Sequence, residues 1–275
     1  MARLIINADD FGLTHGVNQA VAEIHRAGVL TSATLMAHET ATEEAIEIAQ
    51  STPSLGVGCH VVLVDGEPVL HGVLQPTLSA FLRRLLAGRI DPAQIEAETA
   101  AQINLLQSRG LTLTHIDTHK HAHMFPAVLR PVLRAAHKAG IRAVRNPFEP
   151  AWSLRATPHA PLRRRTAVSL LRRFEPAFRR IVAEEGFTST DGSIGISATG
   201  SLDANTLNSL LSHLPAGTFE LVSHPGYNDA DLAKAHTRLL ASRDIERQAL
   251  LAFNKSSEID LVSYAGLLTS QPSDG

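Results

Sequence analysis

The chain has 275 residues, of which 44% are apolar and 19% charged, and its formal net charge is −2 at pH 7. This composition is that of a soluble globular protein, and the near-neutral charge excludes a general attraction to nucleic acid. A single cysteine, Cys59, cannot form an internal disulfide, which fits a reducing cytoplasm. The sequence contains neither a signal-peptide pattern nor an apolar run approaching the roughly 18 residues of a membrane-spanning helix. We therefore expect a cytoplasmic protein.

Strand and helix patterns alternate along the chain. Apolar runs and helical periodicity predict, in chain order, a strand at 4–8, a helix from Thr14, a strand at 30–37, a helix at 40–50, a strand at 55–64, helices at 78–87 and 92–108, a strand at 111–118, a helix at 126–139, a strand at 141–145, helical structure over 162–185, a helix at 203–214, a strand at 219–223, a helix at 243–254 and a strand at 259–264. This alternation predicts an α/β protein with a mostly parallel sheet.

Seven or eight strand–helix units in one domain over 1–269 favour a TIM-like (β/α) barrel, distorted or seven-stranded; the alternative is a doubly wound open sheet. Segment 68–76 is expected to be irregular, 147–161 with its single Trp152 to form a loop on the substrate side, and 270–275 to be a disordered tail. Because active sites of such barrels lie at the carboxyl ends of the strands, polar clusters at strand ends are the first candidates for a site.

The first polar cluster follows the first strand, where Asn7-Ala8 runs into Asp9-Asp10 and then Phe11-Gly12. Two adjacent carboxylates repel each other and lose hydration when buried, unless a cation or a proton lies between them. A metal ion would remove both costs. The alternative is that one of the two carboxylates caps the following turn or helix.

The second cluster contains four histidines within nine residues, from His115 to His123, with Asp117 between them. Strand alternation places His115, Asp117 and His119 on one face. A neutral imidazole is a common metal ligand, and its second nitrogen needs an acceptor such as Asp117. His121 and His123 either bind substrate or cap the next helix.

Two further histidines lie at other strands. His60 is the one polar ring in the apolar run 55–63, and together with an acid and a second imidazole it would complete a three-ligand site with positions open for water and substrate. His224, followed by Pro225, ends a later strand and is a candidate general acid. Taken alone, either histidine is equally explained as a core or turn residue.

These motifs resemble the YdjC family of carbohydrate deacetylases. The matching segments are Asn-Ala-Asp-Asp-Phe-Gly at 7–12, Gly-x-His at 58–60, Thr-His-x-Asp-x-His-x-His-x-His at 114–123 and His-Pro at 224–225, in the family's order and approximate spacing. The resemblance implies a barrel related to the polysaccharide deacetylases, with one divalent cation held by an Asp and two His. Carried over by position, Asp10, His60 and His119 would be the ligands, Asp9 the general base and His224 the general acid.

From position alone, Asp117 is predicted to orient a ligand imidazole and Arg145 to contact either a sugar or the base carboxylate. The ligand types leave Mg²⁺ and Zn²⁺ both open. The expected reaction is hydrolysis of the N-acetyl group of an amino sugar, in an oligosaccharide or in a lipid-linked form. The alternatives are another metal-dependent hydrolase, such as a phosphoesterase or cyclic amidohydrolase, or a non-catalytic metal- or sugar-binding module.

Within the family, the sequence also resembles the hopanoid-biosynthesis-associated branch. In support, the stretch Arg163–Arg180 is dense in arginine interleaved with apolar residues, which is typical of a basic helix on an anionic membrane surface. The alternative is a solvated arginine face whose apolar side packs on the barrel, and Pro176 interrupts any long helix. The expected partner is the amino-sugar substrate, and no nucleic acid is expected; contact with the inner membrane surface and with a second copy of the chain both stay open.

Overall fold

The computed structural model describes residues 1–70, 75–158, 160–235, 237–254 and 257–268. The predicted tail at 270–275 and the middle of the predicted irregular segment at 68–76 therefore lie outside the described residues. Within the described part, the chain folds around one parallel sheet.

The sheet has seven strands in the described part of the chain. They are β1 (Ala2–Phe11), β2 (Ser32–Leu35), β3 (Gly56–Val61), β4 (Ile116–Thr118), β5 (Gly192–Ile194), β6 (Gly217–Ser223) and β7 (Ile259–Leu261). Their order is β4-β3-β2-β1-β6-β5, with β7 also paired to β1, and every pairing is parallel. The longest strand, β1, thus lies at the centre and contacts three others.

Helices connect the strands. They are α1 (His15–Arg26), α2 (Thr42–Ser51), α3 (Leu78–Leu86), α4 (Pro92–Ser108), α5 (Pro126–Lys138), α6 (Ala151–Ala156), α7 (Leu162–Leu171), α8 (Glu175–Glu184), α9 (Ala204–Ser212), α10 (Ala241–Leu251) and α11 (Tyr264–Leu268). Short 3₁₀ segments lie at His119–Met124, Arg172–Phe174 and Leu232–Lys234. Within the described ranges, no helix combines the length and apolar character needed to cross a bilayer.

The sheet curls into a partial barrel. Beyond β4, single bridges link Ile116 to Val144 and Ala143 to Thr188, and these continue the curl towards β5. The predicted α/β fold with a distorted, TIM-like barrel is thereby confirmed. The predicted strand at 141–145 contributes only these bridges because the chain turns away at once into a loop.

Strand alternation separates two environments. Residues on one face pack outward against the helices in the main hydrophobic core; among them are Leu4, Ile6, Ala8, Val57, Cys59, Val61, Phe219 and Leu221. The alternate positions point into the barrel. There, Ile5, Ala143, Tyr264 and Leu267 form a small apolar cluster beneath the polar site. This cluster fills the interior of the barrel below the polar site. The polar side chains of the interior lie at the carboxyl ends of the strands.

Several boundaries differ from the sequence-based expectation. The predicted strand 111–118 shortens to Ile116–Thr118, and β5 was not predicted because three residues carry no readable period. The helical stretch 162–185 divides at Arg172–Phe174, just before Pro176, which lacks the N–H that would continue the helix. The expected loop 147–161 contains α6, and its Trp152 packs edge-on against the outward-facing Phe219, with ring centroids 5.5 Å apart. That ring therefore lies outside the sheet.

Candidate metal centre and active site

Two adjacent carboxylates at the end of β1 point in different directions. Asp9 continues the inward-facing row of the strand, whereas Asp10 adopts a left-handed backbone conformation with φ of 63°. Gly12 follows with φ of 96°, and its N–H donates to the side chain of Asn18. This irregular strand end lets each carboxylate find its own partners despite their adjacency.

The predicted ligand side chains come together. Asp10 Oδ1 lies 3.5 Å from His60 Nε2 and 3.3 Å from His119 Nδ1. The two imidazole nitrogens lie 3.3 Å from each other. His60 and Asp10 are buried, and His119 is only 13% exposed at its side chain. One carboxylate oxygen and two nitrogens thus converge from three separate parts of the chain.

This arrangement fits a divalent cation. Ligand atoms at about 2.0–2.2 Å from a metal lie roughly 3–3.5 Å from one another, as the three atoms do. Asp10 Oδ1 is buried and accepts no hydrogen bond, which is costly for a carboxylate oxygen without a cation. His60 Nδ1 is 2.7 Å from Asp117 Oδ1, so its proton lies on that side and Nε2 faces the other ligands. These residues would hold the metal.

The charges around the site favour the same conclusion. Five buried carboxyl groups, those of Asp9, Asp10, Asp117, Glu220 and Glu246, outnumber the two buried guanidinium groups of Arg145 and Arg243. A divalent cation would offset part of this excess of negative charge. Burial disfavours a charged imidazole, but the nearby carboxylates of Asp117, Asp10 and Asp9 raise the pKa of His60 to about 10. Metal binding would therefore release a proton from His60.

Arg145 occupies the centre of the inward-facing carboxylates. Its Nη2 donates to Asp9 Oδ1 at 2.6 Å and to Glu220 Oε1 at 2.6 Å, its Nη1 donates to Asp9 Oδ2 at 2.8 Å, and it also pairs with Asp117. Asp9, His60 and Asp117 form a second set of closely spaced ligand atoms. Asp9 Oδ1 already accepts hydrogen bonds from Asn7, Thr34 and Arg145, whereas Asp10 Oδ1 accepts none, so the set containing Asp10 is the better candidate for holding a metal.

The base candidate Asp9 is held firmly. Besides Arg145, the side chains of Asn7 and Thr34 donate to Asp9 Oδ1 at 2.9 and 3.2 Å. Burial alone would raise the pKa of Asp9, but the Arg145 guanidinium and the nearby imidazoles lower it below its usual range. Asp9 therefore stays ionised at neutral pH and can accept a proton, at some cost in basicity.

His119 lies beyond the strand, in a turn with unusual backbone geometry. Lys120 and His121, which follow it, both have positive φ, 58° and 53°. His123 is fully buried, with Nδ1 2.8 Å from Thr118 Oγ1 and Nε2 3.1 Å from the Arg145 carbonyl oxygen. His123 thus clamps the turn and has no exposed surface for a substrate. His121 is partly exposed, its Nδ1 is buried without a hydrogen bond, and burial lowers its pKa to about 3.

His224 directly follows the last residue of β6 and lies between two carboxyl groups. Its Nε2 is 3.8 Å from Asp9 Oδ2, and its Nδ1 is 3.9 Å from Glu246 Oε2. Burial lowers the pKa of His224 to about 4. Pro225 is buried directly behind it, and the N–H of Gly226 donates to the Arg243 carbonyl oxygen. His224 is therefore held at the same rim as Asp9 and Asp10.

Three charged residues of the site were not predicted from the sequence. Arg243 Nη2 donates to Asp10 Oδ2 at 2.5 Å, Glu220 binds Arg145, and Glu246 backs His224. Glu220 had a readable signal, because it is the single charged residue within an apolar strand, as His60 is. Arg243 and Glu246 lie on an amphipathic helix with other charged residues, and helical periodicity does not tell which of them faces the barrel.

The chain is similar to several carbohydrate deacetylases. A carbohydrate deacetylase from Thermoanaerobacter pseudethanolicus is 29% identical over 276 aligned positions, covering 96% of this chain and 99% of that protein. Carbohydrate deacetylases from Brevibacillus brevis and Geobacillus stearothermophilus are 45% and 43% identical over about half of this chain, and those matches span 56% and 59% of the relatives' own lengths. The expected enzyme class is the one after which these relatives are named.

Solved structures and a family model complete the comparison. A crystal structure from Enterococcus faecalis V583, described as a candidate cellobiose-phosphate cleavage protein, has a TM-score of 0.72 at 23% identity and covers 96% of this chain and 98% of its own. An uncharacterised protein from Agrobacterium tumefaciens C58 has a TM-score of 0.51 at 12% identity, covering 96% and 88%. Both similarities concern the fold. Residues 3–260 match the model for YdjC-like proteins, which confirms the resemblance found in the sequence, and the chain belongs to the YdjC-like family.

Proposed function

We propose that this protein is a divalent-metal-dependent deacetylase that removes the N-acetyl group from an amino sugar such as N-acetylglucosamine. The observation that carries the proposal is the convergence of Asp10, His60 and His119 within 3.5 Å of one another, beside Asp9 and His224. The names of the relatives support the reaction, and the charge balance of the site supports the cation.

The reaction asks for three things. Hydrolysis of an acetamide needs an activated water, a stabilised oxyanion and a proton for the departing amine. Asp10, His60 and His119 would hold a divalent cation, which would supply the first two as a Lewis acid towards water and the carbonyl oxygen. Asp9 accepts the proton of the water, and His224 donates a proton to the amine nitrogen. Arg145 keeps the Asp9 carboxylate ionised and oriented, and Asp117 orients the His60 ring.

The test is acetate release from N-acetylglucosamine oligomers, with and without a chelator. We expect turnover that is lost with chelator and restored by Mg²⁺ or Zn²⁺. In Asp9→Asn we expect turnover to fall by at least about 10²-fold, as for loss of a general base, while metal binding persists. Release of phosphate from a generic ester instead of acetate would favour a phosphoesterase. Metal and sugar binding without turnover would favour a binding module.

We further propose that the substrate includes a lipid-linked amino sugar of the hopanoid type, reached at an anionic membrane surface through the region Arg163–Arg180. None of the residues of α7 is buried, and its Leu162 and Leu170 are 79% and 56% exposed beside several arginines. In the second half of the region, Arg172 and Arg179 pair with Glu175, and Arg180 pairs with Glu184, which confines the basic surface mainly to α7 and Arg173.

This membrane proposal predicts binding to vesicles containing about one quarter phosphatidylglycerol, and none to pure phosphatidylcholine, in a sedimentation assay. The double variant Leu162→Ser, Leu170→Ser should weaken binding and leave acetate release from soluble oligomers unchanged, because both side chains lie on the exposed face of α7. Equal sedimentation with both lipid mixtures, or with neither, would contradict the membrane contact without affecting the proposed reaction.

A further inference from the structure

One buried carboxyl group behind His224 is not used by the proposed reaction. Glu246 projects from α10 and is 1% exposed. Its Oε2 accepts the backbone N–H of His224 at 2.6 Å, and its Oε1 accepts the backbone N–H of Gly200 at 3.2 Å. Glu246 therefore holds the end of β6 against the loop that follows β5. Holding these two backbone N–H groups needs a hydrogen-bond acceptor, but it does not need a negatively charged group beside the His224 ring.

The position of the His224 ring gives the carboxyl a second contact. The ring lies between two carboxyl groups, with Nε2 3.8 Å from Asp9 Oδ2 and Nδ1 3.9 Å from Glu246 Oε2. Nδ1 is buried and makes no hydrogen bond. A modest rotation of the ring would bring Nδ1–H onto Glu246 Oε2, leaving Nε2 directed into the site. The same oxygen already accepts the backbone N–H of His224, so Glu246 would hold both the backbone and the ring of this residue.

The electrostatic surroundings call for such a partner. The charged groups that face His224 are Asp9 and Asp10 from the end of β1, Arg145 from the segment after α5, and Arg243 and Glu246 from α10. Burial disfavours a protonated imidazole; the Asp9 and Asp10 carboxylates favour it, and the two guanidinium groups oppose them, so the net shift of the His224 pKa is downward. Burial also raises the pKa of Glu246 to about 7, so this carboxyl can lose or hold a proton near neutral pH.

We propose that Glu246 is a positioning residue for the acid step: it directs Nδ1–H of His224 towards itself, stabilises the protonated ring and leaves Nε2–H to protonate the leaving amine. In that step the C–N bond breaks, its electron pair stays on nitrogen, and the proton moves from His224 Nε2 to the same nitrogen. His224 then becomes neutral and keeps its proton on Nδ1. This inference rests on the proposed deacetylase function.

The chain supplies a matched control for the clamp. Glu149 is also a fully buried carboxyl that fixes a loop, accepting the backbone N–H of Ser197 at 2.7 Å and the hydroxyl of Ser153 at 2.6 Å. No contact joins it to His224. Glu149→Gln and Glu246→Gln each remove one charge and one acceptor from a buried loop clamp, so they separate a structural loss from a loss specific to the acid step.

The experiment compares acetate release by the metal-loaded wild type, Glu246→Gln, Glu246→Asp and Glu149→Gln over pH 5.5–9.5. In Glu246→Gln we expect kcat to fall about 10- to 100-fold with KM within about twofold, since general acid–base groups contribute about 10²- to 10⁴-fold. We also expect the basic limb of the kcat profile to move to lower pH. Glu246→Asp should recover part of kcat, and Glu149→Gln should keep the wild-type profile.

Equal losses and unchanged pH profiles in Glu246→Gln and Glu149→Gln would overturn the inference and leave Glu246 a clamp. A wild type without deacetylase activity would instead contradict the proposed function. If Glu246→Gln does not fold, a measurement on the wild type tests the inference instead. Nitrogen NMR of ¹⁵N-histidine-labelled, metal-free protein, with His224 assigned from His224→Gln, should show the neutral ring protonated on Nδ1. A ring protonated on Nε2 would overturn the inference.

Discussion

Asp9 and Asp10 show how neighbouring residues can carry opposite tasks. Side by side in a regular strand they would point to opposite faces, but both are needed at one rim. The left-handed conformation of Asp10, φ 63°, turns its side chain towards His60 and His119. Separate guanidinium groups, Arg145 for Asp9 and Arg243 for Asp10, then remove the repulsion between the two carboxylates. In the proposed mechanism one carboxylate accepts a proton and the other holds the metal.

Asp117 determines which nitrogen of His60 can bind a metal, because its carboxylate contacts Nδ1 and leaves Nε2 facing Asp10 and His119. We expect Asp117→Asn to weaken Zn²⁺ binding by about 10- to 100-fold, because outer partners of ligand imidazoles have effects of that size. Isothermal titration calorimetry of the metal-free protein measures it. Asp203→Asn, which changes an acid at the start of α9 where Asn also caps well, is the control. A wild-type dissociation constant in Asp117→Asn would contradict this role.

Among the elements, the turn His119–Met124 is the one whose geometry bears most directly on the site. It joins a strand of three residues to α5 and carries a predicted ligand at its first position. Two consecutive residues with positive φ are costly for side chains other than glycine, and the His123 clamp onto Thr118 and Arg145 keeps them there. The position of His119 therefore depends on hydrogen bonds that do not involve His119 itself.

Lys120 offers a test of this dependence, since its side chain is exposed and its φ is 58°. Lys120→Val should lower the free energy of unfolding by about 1–3 kcal/mol and weaken Zn²⁺ binding, because a β-branched residue resists the left-handed conformation. Lys120→Gly should change stability by less than about 1 kcal/mol. Urea denaturation and calorimetry give both quantities. Equal behaviour of the two variants would mean that the turn does not need this conformation.

At the scale of the whole molecule, a buried histidine inside the barrel makes the free energy of unfolding depend on pH. His115 is fully buried, stacks on Tyr264 with ring centroids 3.9 Å apart, and lies beneath the site. Burial lowers its pKa from 6.5 to about 3. Below pH 6.5 the unfolded chain binds a proton that the folded protein rejects. The stability contributed by the neutral ring is thus fully present above pH 6.5 and is lost as the pH falls towards 3.

His115→Phe should remove this dependence while keeping the stack on Tyr264. Relative to wild type, the free energy of unfolding of the variant should rise by about 2 kcal/mol between pH 8 and pH 5, at about 1.4 kcal/mol for each pH unit below 6.5. Urea denaturation at both pH values, with chelator present, measures the difference. His137→Phe at an exposed position controls for exchanging the ring. A constant difference between variant and wild type would refute the assignment.

The kinds of residues in the site, and their places at strand ends, could be read from the chain. Asp9, Asp10, His60, Asp117 and His224 each interrupt or end an apolar run, and parallel strands bring such ends to one edge of a sheet. The alternation of inward and outward residues followed from the same runs. These features are local, because strand period and burial act on neighbouring residues.

The partners of those residues were decided by the tertiary structure. Asp10 and Arg243 are 233 positions apart, and Asp9 and Arg145 are 136 apart. Which arginine or glutamate of a helix faces the barrel depends on how the curled sheet sets that helix, and periodicity within the helix does not contain this information. The sequence by itself thus determined the family, the fold class and the chemical groups. Only the folded chain decided how those groups share charge, because electrostatic pairing depends on distance in space and not along the chain.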